Sequence, residues 1–586
     1  MSDQSPNSST HTTSEVQQQS PTPMTNAFWK KHYIWITLAP LVLAVVWTCL
    51  HPIVSIMTGE LKCRGWYIDE NALDAGMFRY EATFSLPAKD GHRHDGMCDT
   101  LSRMTGSGNS SGNIDCHRQY YPDDKDSYLE IAKLLPISNA VMPVSESIVL
   151  VVPSAADWNS SVFHNTILQL LIRLSDAQKT KWLAKTVILV SPSPTKSLTQ
   201  SVDAFLDAYS GRSSYSVMKA LPQTYTTSTI RNLLVLDVAT NEGQQRNELL
   251  LLPQGRRGFL PNMDFFFLAM TVYSNSNIIH RGVFFGVHPY APSSTILSKF
   301  SWVSSLSPFF RQWIADLFDM FNFVRTLAIG PYSAHASSLD QGIDALTVQL
   351  RVSSDMEQTL IHEFTKRLEG IIRALSNLHE RLHHSLTQYL LPSPFKFVSQ
   401  SEYIIPVILA LVPLVIRAVS LLLFEMDDTL NASTFPIIII CFGVTAVLEF
   451  VTDKITDLSR IHAALALLYV SAPAVARKLI EGKEKALFQS LHFLTCLLAI
   501  YLLIPLAIGH VSLGYPSVLF WSCLVAILPH RSSYSVHKLL WPVILLLAWP
   551  PVIAVPQVFG YYSPYMILVY FPLHFMSYLL WVFQNR

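Results

Sequence analysis

The sequence predicts a multi-pass α-helical membrane protein that carries a luminal α/β domain. Three observations support this fold class. Of the 586 residues, 50% are hydrophobic and only 14% are charged, whereas an average soluble domain has about 25% charged residues. Apolar runs long enough to cross a bilayer occur once near the N-terminus and repeatedly after residue 401. Between these two regions, short apolar strands alternate with helical patterns.

The N-terminal region predicts a cytosolic tail followed by a signal anchor. Its first residues are rich in Ser, Thr, Gln and Pro, a composition typical of disorder, so residues 1–32 are interpreted as a disordered cytosolic tail. An apolar run over residues 33–57 follows Lys30 and Lys31. A cleavable signal peptide has an apolar core of roughly 7–15 residues. This longer run has no small-residue cleavage site and therefore predicts a retained transmembrane helix.

The C-terminal third predicts a seven-helix transmembrane bundle over residues 402–583. Together with the signal anchor, these spans leave both chain ends on one side of the membrane, including the short C-terminus at 584–586. Lys and Arg are concentrated in the segments on that side, and such segments are usually cytosolic. The sequence therefore predicts cytosolic termini and a luminal domain at 58–401. The candidate spans are residues 402–424, 434–452, 461–478, 486–508, 511–528, 538–557 and 562–583.

The luminal segment carries features that suit an oxidising, glycosylating compartment. Asn109 and Asn159 each begin an Asn-x-Ser sequon and are candidate glycosylation sites. Cys63, Cys98 and Cys116 allow one disulfide, and Cys98 with Cys116 is the nearest pairing in the sequence. The formal net charge is zero, which gives no reason to expect nucleic acid as a partner.

The luminal domain is expected to contain a mostly parallel sheet. Apolar strands are predicted at 146–153, 186–191 and 232–239, with helices at 162–175 and 202–209 between them. Strands that are apolar throughout and alternate with helices are typical of a parallel sheet covered on both faces.

The ends of these strands are where a zinc aminopeptidase of this architecture would hold its metals. A two-zinc site would need a His-x-Asp, a pair of Glu and a further Asp there, but Ala155 stands at the His position and no acid follows the second strand. Asp157 and Asp237 remain as vestigial strand-end acids, which a helix cap and a turn would also explain. The sequence therefore predicts a zinc-aminopeptidase-like domain with a degraded metal site and no cofactor.

A second zinc-like pattern lies near the end of the luminal domain. His379, Glu380 and His383 form the H-E-x-x-H pattern of zinc-protease helices. However, the predicted helix ends at Pro392 and the next span begins about ten residues later, so a third ligand would have to come from upstream. We therefore interpret this segment as an amphipathic helix that closes the luminal domain, on the bilayer surface or against the domain itself.

The last two spans are unusually rich in proline. Proline removes a backbone donor and kinks a helix, and the freed carbonyls inside lipid must face protein, water or a polar ligand. His574 follows Pro572 within the last span, where an ionisable group is costly and often functional. These residues fit a cavity for a large lipid with a polar headgroup, although kinked helix packing would also explain them. The prolines are Pro542, Pro550, Pro551, Pro556, Pro564 and Pro572.

Several segments resemble one known family. The strongest is LHERLHHSLTQYLLPSPFKFVS at 378–399, which looks like the family's helix leading into its second span. SIVLVVPSAAD and WLAKTVILVS…DAFLDAY resemble its first strand regions, and LPNMDFF at 260–266 and IDALTVQL at 343–350 follow in matching order. YFPLHFMSYLLWVF at 570–583 looks like its last span. On these segments the chain resembles the GPI-anchor attachment protein family, the peptidase-like large subunit of the glycosylphosphatidylinositol (GPI) transamidase.

This resemblance implies a non-catalytic subunit in the endoplasmic reticulum membrane that helps to bind and present GPI. In that complex a separate cysteine-protease-like subunit forms a thioester with the substrate protein and passes the acyl group to the ethanolamine amine of GPI. The family's last span is implicated in GPI recognition, and the match there includes Phe571, Pro572 and Leu573. With His574, these residues are the lipid-binding candidates, and the implied partners are the other transamidase subunits, GPI and the membrane.

Two functions from other classes remain open on the sequence alone. One is a luminal, membrane-anchored zinc metallopeptidase that uses His379 and His383. The other is a stand-alone polytopic lipid transporter with a luminal sensor domain. Zinc content separates the first function from an accessory subunit, and copurification of a cysteine-protease-like chain separates the second.

Overall fold

The structure is a computed structural model. It describes residues 23–57, 96–105, 113–136, 146–155, 158–176, 180, 182–211, 218–240, 247–274, 283–290, 293–297, 299–352, 358–377, 387–425, 439, 443, 484–527, 543–544 and 569–584. Statements about structure below refer to these residues.

An eight-stranded mixed sheet forms the centre of the α/β domain. Its strands are β1 Ile114–Tyr121, β2 Asp124–Leu134, β3 Glu146–Val151, β4 Thr186–Pro192, β5 Thr229–Thr240, β6 Glu248–Leu252, β7 Phe284–Gly286 and β8 Asp344–Val352. The strand order is β1-β2-β4-β3-β5-β8-β6-β7. The central strands β4, β3, β5 and β8 are parallel. The strand β2 pairs antiparallel with both β1 and β4, β6 pairs antiparallel with β8, and β7 pairs parallel with β6.

The three strands expected from the sequence are β3, β4 and β5, and they form the parallel core. They are apolar throughout because both faces of the sheet are covered. Ile148 and Leu150 point into one apolar core, and Val149 and Val151 point into the other. Such alternation is the period of two that a pleated strand imposes. Each fully buried Val, Leu or Ile side chain contributes about 1.5–3 kcal/mol.

Helices cover both faces of this sheet. The described helices of the domain are α2 Met97–Thr105, α3 Trp158–Leu174, α4 Leu198–Ser210, α5 Met263–Ser274, α6 Ser293–Leu297, α7 Ser301–Ser304, α8 Pro308–Ile329, α9 Ala336–Asp340 and α10 Gln358–Asn377. Apolar residues of α3, α5, α8 and α10 fill the first core, and those of α4 and α9 fill the second. The domain is therefore a three-layer α/β/α arrangement.

The domain ends in a β-hairpin, which corrects one expectation from the sequence. Strands β9 Tyr389–Ser393 and β10 Lys396–Ser399 pair antiparallel, where a helix running to Pro392 was expected. The reason lies in the sequence Leu-Pro-Ser-Pro, because a residue that precedes proline is disfavoured in the α conformation. The amphipathic helix α10 stops at Asn377, and residues 378–386 lie outside the described part.

The membrane part contains the helices α1 Pro23–Met57, α11 Gln400–Ser420, α12 Glu484–Gly509, α13 Val511–Ser522 and α14 Phe571–Gln584. Three described segments are long and apolar enough to cross a membrane: Trp35–Ile53, Gln400–Leu423 and Phe488–Gly509. These coincide with the signal anchor and with two predicted spans. The predicted spans at 434–452, 461–478 and 538–557 fall almost wholly outside the described residues.

The helix α1 starts earlier than expected. It begins at Pro23, so residues 23–32, which were interpreted as part of a disordered tail, are helical. Residues 1–22 lie outside the described part. Proline at the first position of a helix costs little, because its missing N–H would have no partner there.

The junction between the hairpin and α11 is fixed by a capping box. The Ser399 side chain accepts from the backbone of Glu402, and the Glu402 carboxylate accepts from the Ser399 N–H at 2.9 Å. This reciprocal arrangement satisfies two donors at a helix start. It therefore turns the chain directly from the domain into the span.

Candidate functional site

The α/β domain contacts the helices of the membrane part at one end. Trp313 Nε1 of α8 donates to the Cys49 carbonyl near the end of α1 at 2.8 Å. Lys396, just before α11, pairs with Asp316 of α8. Gly258 lies against His510, between α12 and α13. The end of α1, the start of α11 and the end of α12 therefore meet the domain on one side, which is the alternation that successive crossings require.

Asp237 is the one strand-end acid of the sequence interpretation that the structure describes. It was expected to end the third strand, but β5 continues to Thr240, so Asp237 lies inside the strand. Its register partner on β8 is Gln349, whose Nε2 donates to Asp237 Oδ2 at 2.7 Å. Burial raises the pKa of Asp237, and the Gln349 hydrogen bond opposes that shift.

A polar chain continues from Asp237 across the sheet. Arg351 Nε donates to Gln349 Oε1 at 3.0 Å, and its Nη1 contacts Glu248 Oε2 at 3.4 Å. Arg351 Nη2 also donates to the Pro289 carbonyl at 2.9 Å. Asp237 is thus bonded to an amide, and Glu248 to a guanidinium. These contacts stabilise the end of the sheet at which β5 and β8 finish.

The other strand ends carry hydroxyl groups. After β4, Ser193 Oγ contacts Thr195 Oγ1 at 2.9 Å, and Thr195 Oγ1 contacts Ser127 Oγ at 2.7 Å. After β3, Ser154 and Ala155 are described, whereas Asp157 lies outside the described residues. Neutral hydroxyls are poor zinc ligands compared with thiolate, imidazole and carboxylate groups.

No group of three or more His, Cys, Asp or Glu side chains among the described residues is arranged to hold a metal ion. His379, Glu380 and His383 fall in the segment 378–386, outside the described part. Whether that motif binds zinc stays an open prediction.

The structure brings the four lipid-binding candidates together in the first turn of α14. Phe571, Pro572, Leu573 and His574 are all buried, and His574 is 1% exposed. The His574 ring stacks on Tyr570, and the Phe571 ring stacks on Phe575, with centroid distances of 6.2 and 5.9 Å. Tyr570 in turn meets Trp521 of α13 edge to face. The candidates therefore face the interior of the helical bundle.

Three polar atoms near this cluster were missed by the sequence interpretation. Trp521 Nε1, Ser522 Oγ and Ser577 Oγ are buried and have no hydrogen-bond partner among the described residues. Buried polar atoms are usually paired, and Ser577 lies one turn beyond Leu573 on α14. A serine within an apolar span is the signal that could have drawn attention to this position.

The remaining site candidates concern covalent modification. Cys98 of α2 and Cys116 of β1 form a disulfide, the pairing that proximity favoured. Asn159 lies in the first turn of α3 and is 4% exposed. Whether this sequon is glycosylated stays a prediction. Asn109 lies outside the described residues, and its use stays a prediction.

Comparison with protein families gives one finding. A family model described as Gaa1-like, GPI transamidase component, matches residues 142–570 of the chain. The matched region begins just before β3, includes the parallel core, the hairpin and α11 to α13, and ends one residue before Phe571.

Proposed function

The chain belongs to the Gaa1-like family of GPI transamidase components, and we propose that within this transamidase it is a non-catalytic subunit that binds and presents the GPI lipid. A GPI transamidase component acts at the endoplasmic reticulum membrane. In this proposal the α/β domain is luminal, both termini are cytosolic, and the catalytic thiol belongs to a cysteine-protease-like partner.

The reaction assigned to the complex is an acyl transfer. The ethanolamine amine of GPI attacks the thioester carbonyl formed between the partner's thiol and the substrate protein. A C–N bond forms, the C–S bond breaks, and the proton lost by the amine returns to the thiolate. A subunit that holds the amine near the thioester raises its effective concentration. Water exclusion around the thioester favours aminolysis over hydrolysis.

The observation that carries this proposal is that Asp237 and Glu248 make cross-strand contacts within the sheet. Asp237 is bonded to Gln349, and Glu248 is paired with Arg351. A hydrolytic site needs a base or metal ligand with a free position for substrate or water. Here these carboxylates serve cross-strand contacts, which supports a scaffolding role for the domain.

The bundle supports a role in lipid binding. The first turn of α14 places the Phe571 ring beside a proline, and Tyr570 just before it packs on Trp521. Among the described residues, Trp521 Nε1 and Ser577 Oγ are buried without a hydrogen-bond partner. An apolar pocket with a few polar groups is the usual composition of a small-molecule or lipid site. We propose that Phe571, Pro572, Leu573 and His574 shape this pocket and that Ser577 contributes a hydroxyl.

The proposal is tested on the purified complex with the double variant Pro572→Ala, His574→Ala and with Ser577→Ala. We expect each to lower GPI binding and transamidation while the partner's thiol still forms the thioester. The matched control is Ser517→Ala, because the Ser517 hydroxyl already donates to the Leu513 carbonyl of its own helix at 2.6 Å. Unchanged GPI binding in both test variants would refute the assigned lipid pocket.

The non-catalytic assignment has its own test. The purified chain is incubated with a substrate peptide and GPI, and its zinc content is measured by mass spectrometry. We expect no transfer without the partner subunit. Transfer or peptide cleavage by the isolated chain, together with stoichiometric zinc that is lost in His379→Ala and His383→Ala, would replace the proposal with a metallopeptidase.

A further inference from the structure

The helix α8 has an apolar face that the core does not cover. Its inner side contributes Met320, Phe323 and Leu327 to the main core of the α/β domain. On the opposite side, Phe318 and Phe321 are each 50% exposed. Residues at three- and four-residue spacings share a side of a helix, so α8 is apolar on both sides.

The short helices before α8 extend this exposed surface. We define the aromatic face as seven exposed apolar residues that lie between 44% and 59% exposed: Ile296, Phe300, Trp302, Phe310, Phe318, Phe321 and Ile329. The helix α6 contacts α8, so these exposed apolar side chains belong to one region of the domain. Such a concentration of exposed apolar side chains marks a candidate interaction site.

The charges of α8 are sorted between its two sides. Both acidic residues bond inward: Asp316 pairs with Lys396, and Asp319 Oδ1 contacts His288 Nε2 and accepts from the Ser293 N–H, both at 3.1 Å. The exposed charges on the outer side are Arg311 and Arg325, and the Arg325 guanidinium lies over the Tyr290 ring, 4.7 Å from its centroid. An outer side of aromatic rings and arginines is typical of helices that lie in the headgroup region of a membrane.

The position of α8 identifies what covers this face. Trp313 bonds to the Cys49 carbonyl, one turn before the apolar stretch of α1 ends at Ile53. Asp316 pairs with Lys396, four residues before α11 begins at Gln400. Two neighbouring turns of α8 are thus held at the level where one span ends and another starts.

We infer that α8 lies in the interface of the lipid bilayer with the aromatic face inserted and Arg311 directed to lipid phosphates. The inference rests on the membrane spans of the proposed function but not on GPI transfer. It assigns α8 the task of fixing the height and tilt of the α/β domain above the membrane.

The test uses the full chain in nanodiscs of phosphatidylcholine. A photoreactive benzoyl-phenylalanine replaces Phe318 or Phe321, and lipid adducts are measured by mass spectrometry after irradiation. Ile408 in α11, which is 56% exposed, is the positive control, and Tyr120 on β1, which is 52% exposed, is the negative control. We expect adduct levels at positions 318 and 321 to match position 408 and to exceed position 120 several-fold.

The controls separate the possible failures. If lipid adducts form at position 408 but positions 318 and 321 give only as much adduct as position 120, the inference is overturned and the span assignment stands. If positions 318, 321 and 408 all give only as much lipid adduct as position 120, both the inference and the span assignment are overturned. Protein adducts in place of lipid adducts at 318 and 321 in the purified complex would show that a partner subunit covers the face, which also overturns the inference.

Discussion

Gly258 combines a left-handed backbone with a close contact at the junction between the α/β domain and the bundle. Its φ is +78°, and a Cβ at this position would lie 2.8 Å from ring atoms of His510. Gly211 at the end of α4 has a similar φ of +66°, but a Cβ there would meet nothing within 4 Å. A comparison of substitutions at the two glycines therefore separates the free-energy cost of the left-handed backbone from the cost of the contact with His510.

We expect Gly258→Ala to destabilise the chain more than Gly211→Ala. A non-glycine residue in the left-handed region costs roughly 1–2 kcal/mol, which both variants share, and only Gly258→Ala also displaces His510. Thermal unfolding in detergent measures the difference. The double variant Gly258→Ala, His510→Ala should approach Gly211→Ala, and equal melting temperatures for the two single variants would contradict the close contact.

His164 makes the stability of the α/β domain sensitive to acid. It is buried in α3, its Nε2 has no hydrogen-bond partner among the described residues, and burial lowers its pKa to about 4 from 6.5. In the unfolded chain the His164 imidazole is protonated below its ordinary pKa of 6.5, whereas in the folded chain it is protonated only below about 4. The free energy of unfolding therefore falls as the pH drops through this window, by about 3 kcal/mol in all.

Replacing His164 with glutamine is expected to flatten this pH dependence. The melting temperature would be compared at pH 7 and pH 5 in wild type, His164→Gln and His117→Gln, the last being a control in the half-exposed strand β1. His335 is also buried, with its pKa lowered to about 4 by burial, so part of the slope should remain. A slope in His164→Gln equal to that of the wild type would count against the prediction.

Among the elements, the N-terminal edge of the sheet is cross-linked by a disulfide. The helix α2 is joined to β1 by the disulfide between Cys98 and Cys116, which are 18 residues apart in the sequence. Arg118 of β1 also contacts Asp99 of α2 and Glu130 of β2. These strands precede the region matched by the family model and form the outer edge of the sheet.

We expect the double variant Cys98→Ser, Cys116→Ser to lose about 3 kcal/mol of stability, because a disulfide that closes a loop of this size restricts the unfolded chain by that amount. Thermal unfolding with and without reductant provides the measurement. The wild type should melt lower in reductant and the double variant should not change. A reductant effect that persists in the double variant would point to another cysteine pair.

The elements also show what the sequence could predict. Continuous apolar runs identified β3, β4 and β5, because strands buried on both faces need no polar residues. The polar strand β1 was not predicted, because its sequence IDCHRQYY has no continuous apolar run. It forms by pairing with β2. Asp237 was found, but its partner Gln349 lies 112 residues away, and only the register between β5 and β8 brings the two together. The sequence predicts a helix up to Pro392 where the hairpin lies, because Pro392 alone is interpreted as the end of that helix.

Over the whole molecule, a buried ion pair holds α8 against the hairpin that leads into the span α11. The Asp316 side chain is almost fully buried and pairs with Lys396, the first residue of β10. Gln312 Nε2 also donates to Asp316 Oδ1 at 2.7 Å. Burial raises the pKa of Asp316, and the Lys396 ammonium opposes that shift.

We expect Lys396→Met to destabilise the chain by about 3–5 kcal/mol, because removing one partner leaves a buried charge unpaired. The double variant Asp316→Asn, Lys396→Met should recover most of this loss, since the asparagine oxygen can still accept from Gln312. Unfolding of the single and double variants forms a double-mutant cycle. Additive effects would show that the two side chains are not coupled.

The pairing of α1 with α11 has a consequence for how the protein is made. Ala44 of α1 and Ala410 of α11 belong to one buried cluster, although the entire α/β domain separates them in the chain. At about 5–20 residues per second, the ribosome needs tens of seconds to synthesise that domain after α1 has been released. Throughout this interval the newly inserted helix lacks its partner α11, so the face of α1 that includes Ala44 must contact lipid or be shielded by the insertion machinery until α11 arrives.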